Sequence, residues 1–165
     1  MHTTYTASRE TLAQNRLMEL VEVQSLRKWP VDTAMMKVCT RPCILRSETE
    51  GVCTLEVGTP VVIPVLSIHR DPEHYPDPDK FDPERFSEEN FEKRPRFSYL
   101  PFGAGPRACL GSMFAVTQIK SAVVTILSHF KISTSQKTIS TVTLNSMTNR
   151  DIWLVFEKRN ASKLF

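Results

Sequence analysis

Phe102-Gly103-Ala104-Gly105-Pro106-Arg107-Ala108-Cys109-Leu110-Gly111 decides how this chain is read. It sets one cysteine in a glycine-rich loop, with an arginine two residues upstream and an apolar helical pattern from about Leu110. The thiolate is the metal-binding form of cysteine, and a helix N-terminus or a nearby cation favours it. Unpaired N–H groups at the helix start are donors toward the sulfur. Gly105 and Gly111 permit tight turning and close approach to a bulky group. Phe102 is expected to cover the sulfur as an apolar lid. Arg107 keeps its charge and presents a fork that suits a carboxylate. The plain alternative makes Cys109 a small core residue at a helix start, as free cysteines often are. The spacing F-x-x-G-x-R-x-C-x-G fixes five residue types over ten positions, which favours a partly buried, metal-bound thiolate.

Downstream of the loop, Phe114, Ala115, Ile119, Ala122, Val123, Ile126 and Phe130 recur at helical steps and predict a helix over 110–130. Strands are expected near 131–133, 142–144 and 152–157, with a hairpin turn over 145–150. Upstream, residues 71–107 carry seven of the eleven prolines. That stretch is expected to run extended along the surface, with one helical turn near 87–93. Residues 64–69 predict a short helix ended by Asp71-Pro72. Residues 31–62 alternate β-favouring runs and turns. They predict a small antiparallel sheet from Met35–Cys39, Cys53–Val57 and Pro60–Ile63. A helix over 9–28, with Leu12, Leu17, Leu20, Val21 and Leu26 as its apolar face, is stopped by Pro30. Residues 1–8 read as a frayed polar terminus.

A length of 165 residues is one domain's worth of chain, and 41% hydrophobic with 24% charged residues is a globular composition. A net charge of +3 is too small to argue for nucleic-acid binding. There is no internal repeat, and no apolar run of about 18 residues that predicts a transmembrane helix. No secretory signal accompanies the cysteines at 39, 43, 53 and 109, so free thiols in a reducing compartment are the default. A zinc site on Cys39, Cys43 and Cys53 lacks a fourth ligand at a convincing spacing, His69 and His74 being loosely placed.

The cysteine loop resembles that of the cytochrome P-450 family, the haem-thiolate monooxygenases, at Phe102, Gly105, Arg107, Cys109 and Gly111. The resemblance implies haem b as cofactor, with Cys109 as axial ligand of the iron and Arg107 as partner of a haem propionate. Phe102 and Gly111 would line the cofactor. In Met36-Lys37-Val38-Cys39-Thr40, Lys37 stands where many relatives carry an arginine that also reaches a propionate. Lysine keeps the charge but not the fork, and an ordinary solvated lysine is the alternative there. The implied fold is mixed α/β, the C-terminal part of the mainly helical cytochrome P-450 fold. One long helix precedes and one follows a proline-rich meander, and small antiparallel sheets complete it.

A second constellation carries the same resemblance. Asp82-Pro83-Glu84-Arg85-Phe86 matches the family's P-x-R-F, whose arginine joins an ionic cluster with an E-x-x-R helix. Alone, Arg85 would read as solvated. Arg27 matches the helix arginine, but the glutamate position holds Gln24. Glutamine cancels no charge, so Arg27 and Arg85 are expected to face each other without an anion. Glu22 is expected to point elsewhere on the helix. Ile68-His69-Arg70-Asp71-Pro72 resembles the animal microsomal branch, including its arthropod detoxification members, and His69 is assigned no catalytic role.

The resemblance runs from Leu17 to Arg159 and covers about the C-terminal third of a family member. The chain therefore reads as a single partial domain over 1–165. The membrane anchor and the distal A-G-x-x-T-type helix of the family are not found in it. The implied activity is insertion of one oxygen atom from O2 into an apolar organic substrate. Electrons would come from an NADPH-dependent flavoprotein reductase. The full-length relative would sit on the cytosolic face of the endoplasmic reticulum membrane, held through the N-terminal part. Lys93, Arg94 and Arg96 are candidates for docking an acidic partner, or a solvated basic run. Val31–Met36 and Asn145–Arg150 are candidates for substrate contact. A non-catalytic remnant with weak or no haem binding is the competing reading. The long helix and the sheet are expected to leave an apolar face uncovered.

Overall fold

The computed structural model describes residues 9–47, 49–138 and 152–159. The expected polar terminus, the strand over 142–144 and the turn over 145–150 lie outside the described residues.

Helix α1 spans Arg9–Lys28, as its periodicity predicts. Its last turn closes with Trp29 N–H donating to Ser25 O (2.8 Å), and Pro30 follows. The face it buries is not the apolar stripe. Leu17 is 56% exposed, whereas Gln24 and Arg27 are fully buried. Residues three apart share one side of a helix, and here the polar pair meets the rest of the chain.

The region after α1 forms two separate two-stranded ladders rather than one small sheet. Strand β1 (Met35–Val38) pairs antiparallel with β4 (Pro60–Ile63), in the register Met35 opposite Ile63. Nested between them, β2 (Cys43–Ser47) pairs with β3 (Gly51–Leu55). The second expected strand, Cys53–Val57, corresponds to β3 and lies two residues earlier because Glu56–Thr59 turns back. Thr59 N–H donates to Glu56 O (3.1 Å), and Gly58 adopts φ +90°. That is the type II geometry, which demands glycine at its third position. Strand β2 escaped the sequence reading because no polar–apolar alternation marks Cys43–Ser47. Its one signal is its symmetry with Val52–Leu55 about the Glu50-Gly51 turn.

Helix α2 (Val65–His69) is tied back by Leu66 N–H donating to Thr33 O (2.9 Å). In the meander a 3-10 turn over Pro83–Phe86 is capped by the Asp82 carboxylate, which accepts from Glu84 N–H (3.2 Å). Helix α3 (Glu88–Phe91) follows at the expected place. Helix α4 spans Ser112–His129, with Gly111 as N-cap. It begins two residues later than expected and runs directly into β5 (Phe130–Thr134), which pairs antiparallel with β6 (Leu154–Lys158).

The core lies between the C-terminal half of α1, α2 and the meander. It holds Val65, Tyr75, Phe86, Leu100 and Ser98, with Gln24, Arg27 and His69 fully buried. Helix α4 buries none of its residues. Met113 and Phe114 are 76% and 70% exposed, so the apolar stripe that predicted the helix lies open here. Among the described residues no helix is long and apolar enough to cross a membrane.

Candidate functional site

The cysteine loop is shaped by its own backbone. Cys109 N–H donates to Phe102 O (2.9 Å), which closes the loop, and Ala108 N–H donates to Gly105 O (3.0 Å) inside it. Gly103 and Gly105 adopt φ +75° and +79°, a region that side chains strain to reach. Gly111 does not need that freedom, since its φ is −89°. It serves instead as an N-cap without a side chain. Gly103 is the glycine that the sequence reading passed over. A methyl group there would stand 3.3 Å from Met35 Sδ on β1, so the loop backbone approaches β1 closely at Gly103. The spacing F-G-x-G carried that signal.

Cys109 is exposed rather than partly buried, and it stands two residues before the N-cap instead of in the first turn. Ala115 N–H is the first to close on Gly111 O (2.9 Å), which leaves the N–H groups of Ser112, Met113 and Phe114 free of helical partners. Phe102 is half-buried beneath the loop. Arg107 is exposed and has no carboxylate within ion-pair distance among the described residues. Lys37 is exposed on β1, opposite Val61. It lies two residues from Met35, and alternate strand residues share a face, so Lys37 lies on the strand face that meets Gly103. The other cysteines differ. Cys43 and Cys53 are exposed on β2 and β3, while Cys39 is buried and its thiol donates to Arg41 O (2.9 Å). Among the described residues no three metal-ligating side chains come together.

Behind the loop lies a buried polar hub. Arg27 Nε donates to Gln24 Oε1 (2.9 Å), Nη1 to His69 O (2.8 Å), and Nη2 to Pro78 O (2.7 Å) and Lys80 O (3.3 Å). Gln24 Nε2 also donates to Lys80 O (3.3 Å). Carbonyl oxygens thus fill most of the guanidinium, and the glutamine keeps one acceptor where the family motif has a carboxylate. Burial lowers the Arg27 pKa to about 10, with the Arg85 charge as the next cause, so Arg27 remains a cation at neutral pH. Arg85 does not touch Gln24. Its Nη2 donates to Asp77 O (2.9 Å), and its Nε is buried without a partner. Glu22 faces the other way, toward α4, with Oε2 at 3.8 Å from Lys120.

His69 is the structural residue that the sequence reading undervalued. Its Nε2 accepts from Leu100 N–H (2.7 Å), and Nδ1 lies 3.2 Å from Arg27 O. These partners assign the neutral tautomer with the proton on Nδ1. Its ring stacks on Tyr99 at 5.3 Å, and Tyr99 Oη donates to Val23 O (3.0 Å). One imidazole therefore joins α1, α2 and the strip of chain that leads into the cysteine loop. The signal was its place at the end of an apolar helical turn, where an unpaired histidine is costly.

Gln24→Glu is expected to stabilise the chain by about 1–2 kcal/mol, since a hydrogen bond to a charged group exceeds a neutral one by roughly that amount. The lost donor to Lys80 O offsets part of the gain. Urea unfolding of the two proteins measures the difference, and a destabilised variant would show that the glutamine donor matters more than the missing charge.

The loop is short and glycine-shaped, and it offers one exposed thiol two residues before the N-cap of α4. The family model for cytochrome P450 matches residues 11–154, and the chain belongs to the cytochrome P450 family. It is 38% identical over 155 residues to cytochrome P450 9e2 of Blattella germanica, covering 91% of this chain and 29% of that protein. It is 43% identical over 121 residues to probable cytochrome P450 6a13 of Drosophila melanogaster, covering 73% and 24%. It is 36% identical over 132 residues to cytochrome P450 3A13 of Mus musculus, covering 80% and 25%. These relatives are insect and mammalian, as the resemblance to the animal branch implied. The chain spans 24–29% of the length of these relatives. Members of the family bind haem b through a cysteine thiolate.

Proposed function

We propose that this chain forms the thiolate-side haem-binding part of a cytochrome P450 monooxygenase that oxidises apolar organic substrates with O2. The observation that carries this reading is the exposed Cys109 thiol in a backbone-locked loop at the foot of α4. The residues present fit a flat apolar ring with two carboxylates. Leu110, Met113 and Phe114 offer open apolar surface, and Arg107 and Lys37 are exposed cations.

Cys109 would hold the iron, with its sulfur aided by the unpaired N–H groups at the start of α4. Arg107 would bind one propionate through its fork, and Lys37 would add a point charge to a propionate. Phe102 and Gly111 would keep the loop's apolar face close to the ring. When bound, the haem supplies the oxygen chemistry, toward which a cysteine thiolate donates electron density. Electrons would come from an NADPH-dependent flavoprotein reductase. Lys93 and Arg96 are candidates for docking it, and the membrane of the endoplasmic reticulum is the expected site of the full-length enzyme. Substrate contact from Val31–Met36 is part of the same reading.

Titration of haem into the purified chain tests it. The parent is expected to show a sulfur-to-iron charge-transfer spectrum. Cys109→Ser is expected to lose it and to bind haem more than about tenfold more weakly, because outer-shell changes alone cost about 10–100-fold in metal sites. Cys39→Ser, a control at the buried thiol away from the loop, should leave the spectrum unchanged. An unaltered spectrum in Cys109→Ser would end the assignment.

A further inference from the structure

The meander carries more positive charge than the structure balances. Arg85, Lys93 and Arg94 line one cavity of about 400 Å³ together with His74 and Asn90, and Glu73 is its one carboxylate. Arg94 sits among three rings, with its guanidinium carbon 4.5 Å from the Phe86 centroid, 5.0 Å from Phe91 and 5.5 Å from Tyr99. Among the described residues it has no carboxylate partner. Arg85 has none either, and its Nε is buried and unbonded. Arg27 stands behind the cavity wall, 5.0 Å over the Tyr75 ring. Arg27 thus lies over Tyr75 and Arg94 over Phe86, Arg85 lines the same cavity, and Gln24, the side-chain acceptor of Arg27, is neutral. Lys93 pairs only with Glu89 at 3.4 Å, and both are largely exposed.

We propose that this cavity binds a small oxyanion of the phosphate class, which supplies the negative charge that Gln24 does not. Guanidinium forks match tetrahedral oxyanions, and a fork already fixed by stacking loses little freedom on binding. Asn90 adds a neutral amide at the rim, and its Nδ2 already donates to Glu84 O (2.9 Å), which fixes its orientation. Glu73 opposes an anion, and it is outnumbered by Arg85, Lys93 and Arg94. The site lies in the meander and draws on neither Cys109 nor haem, so its test is separate from that of the haem assignment.

Inorganic phosphate titrated into the chain at constant ionic strength, with chloride as the balancing ion, measures the site by phosphorus NMR and calorimetry. One equivalent is expected to bind with a Kd of about 1 mM. Arg85→Gln and Arg94→Gln should each weaken binding by about tenfold or more, the usual loss for a charge-assisted bond. Lys93→Gln, at an exposed position that does not threaten folding, should weaken it by about threefold. Gln24→Glu should also weaken phosphate binding by several fold, because it brings an internal anion to the same cluster. Circular dichroism on each variant separates lost folding from lost binding, and Lys93→Gln with Gln24→Glu decides if the arginine variants do not fold. Absence of saturable binding up to 50-fold above the expected Kd overturns the proposal. So does binding that Arg85→Gln, Lys93→Gln and Gln24→Glu leave unchanged. Phenyl phosphate in place of phosphate tells a monoester site from one for the free ion.

Discussion

Arg27→Leu is expected to abolish cooperative folding. The substitution strands three acceptors at once, Gln24 Oε1 and the carbonyls of His69 and Pro78, while Lys80 O keeps the Gln24 amide as its donor. A buried acceptor left without a donor costs about 1–3 kcal/mol. Three of them cost about 3–9 kcal/mol together, comparable with the whole stability of a marginal domain, about 5 kcal/mol or a little more. Leucine recovers some of this through its apolar atoms, but the surrounding oxygens offer it no matching surface. Arg27→Lys should fall between the two, because an ammonium reaches fewer of these acceptors. Chemical unfolding followed by circular dichroism reads the result. A leucine variant that unfolds within about 1 kcal/mol of the parent would show that the hub is incidental to the fold, since that is the size of an ordinary surface effect.

The second large effect is a loss of stability in mild acid through His69. Burial, the principal cause, depresses its pKa from 6.5 to about 4, and the Arg27 charge adds to the depression. The native ring is neutral because Nε2 must accept from Leu100 N–H. Below pH 6.5 the unfolded chain takes up a proton that the native chain refuses, so unfolding gains as pH falls. The stability is therefore fully present above pH 6.5 and is lost progressively down to about pH 4, where the native ring also protonates. Between pH 7 and 4.5 the parent should lose on the order of 2–3 kcal/mol through this group. His69→Gln retains a donor and an acceptor without titrating. Its unfolding free energy should fall by that much less over the same range. Parallel curves for the two proteins would remove His69 as the cause.

The cysteine loop was legible because its chemistry is local. Spacing alone ties Phe102, Gly105, Arg107, Cys109 and Gly111 to one turn of chain, and no distant contact is needed to see it. The long helices were legible for the same reason, since a 3.6-residue period and a stopping proline are properties of the segment itself. Strand β2 was not, because a hairpin strand without alternation declares itself only through its partner. The start of α4 was misjudged by two residues because Gly111 caps without a side chain that would mark the position.

The sequence by itself determined the family, the cysteine loop, and the order of helix, meander, loop and helix. Those follow from short-range spacing and from the backbone limits of proline and glycine. Tertiary structure alone decided which faces are buried. Helix α1 turns Gln24 and Arg27 inward and leaves Leu17 outside, because carbonyl groups from His69, Pro78 and Lys80 converge on the guanidinium from up to 53 residues away. It also decided the role of His69, whose two ring nitrogens answer backbone groups of Arg27 and Leu100. Hydrogen-bond satisfaction across such separations is a property of the assembled chain, and no local pattern encodes it.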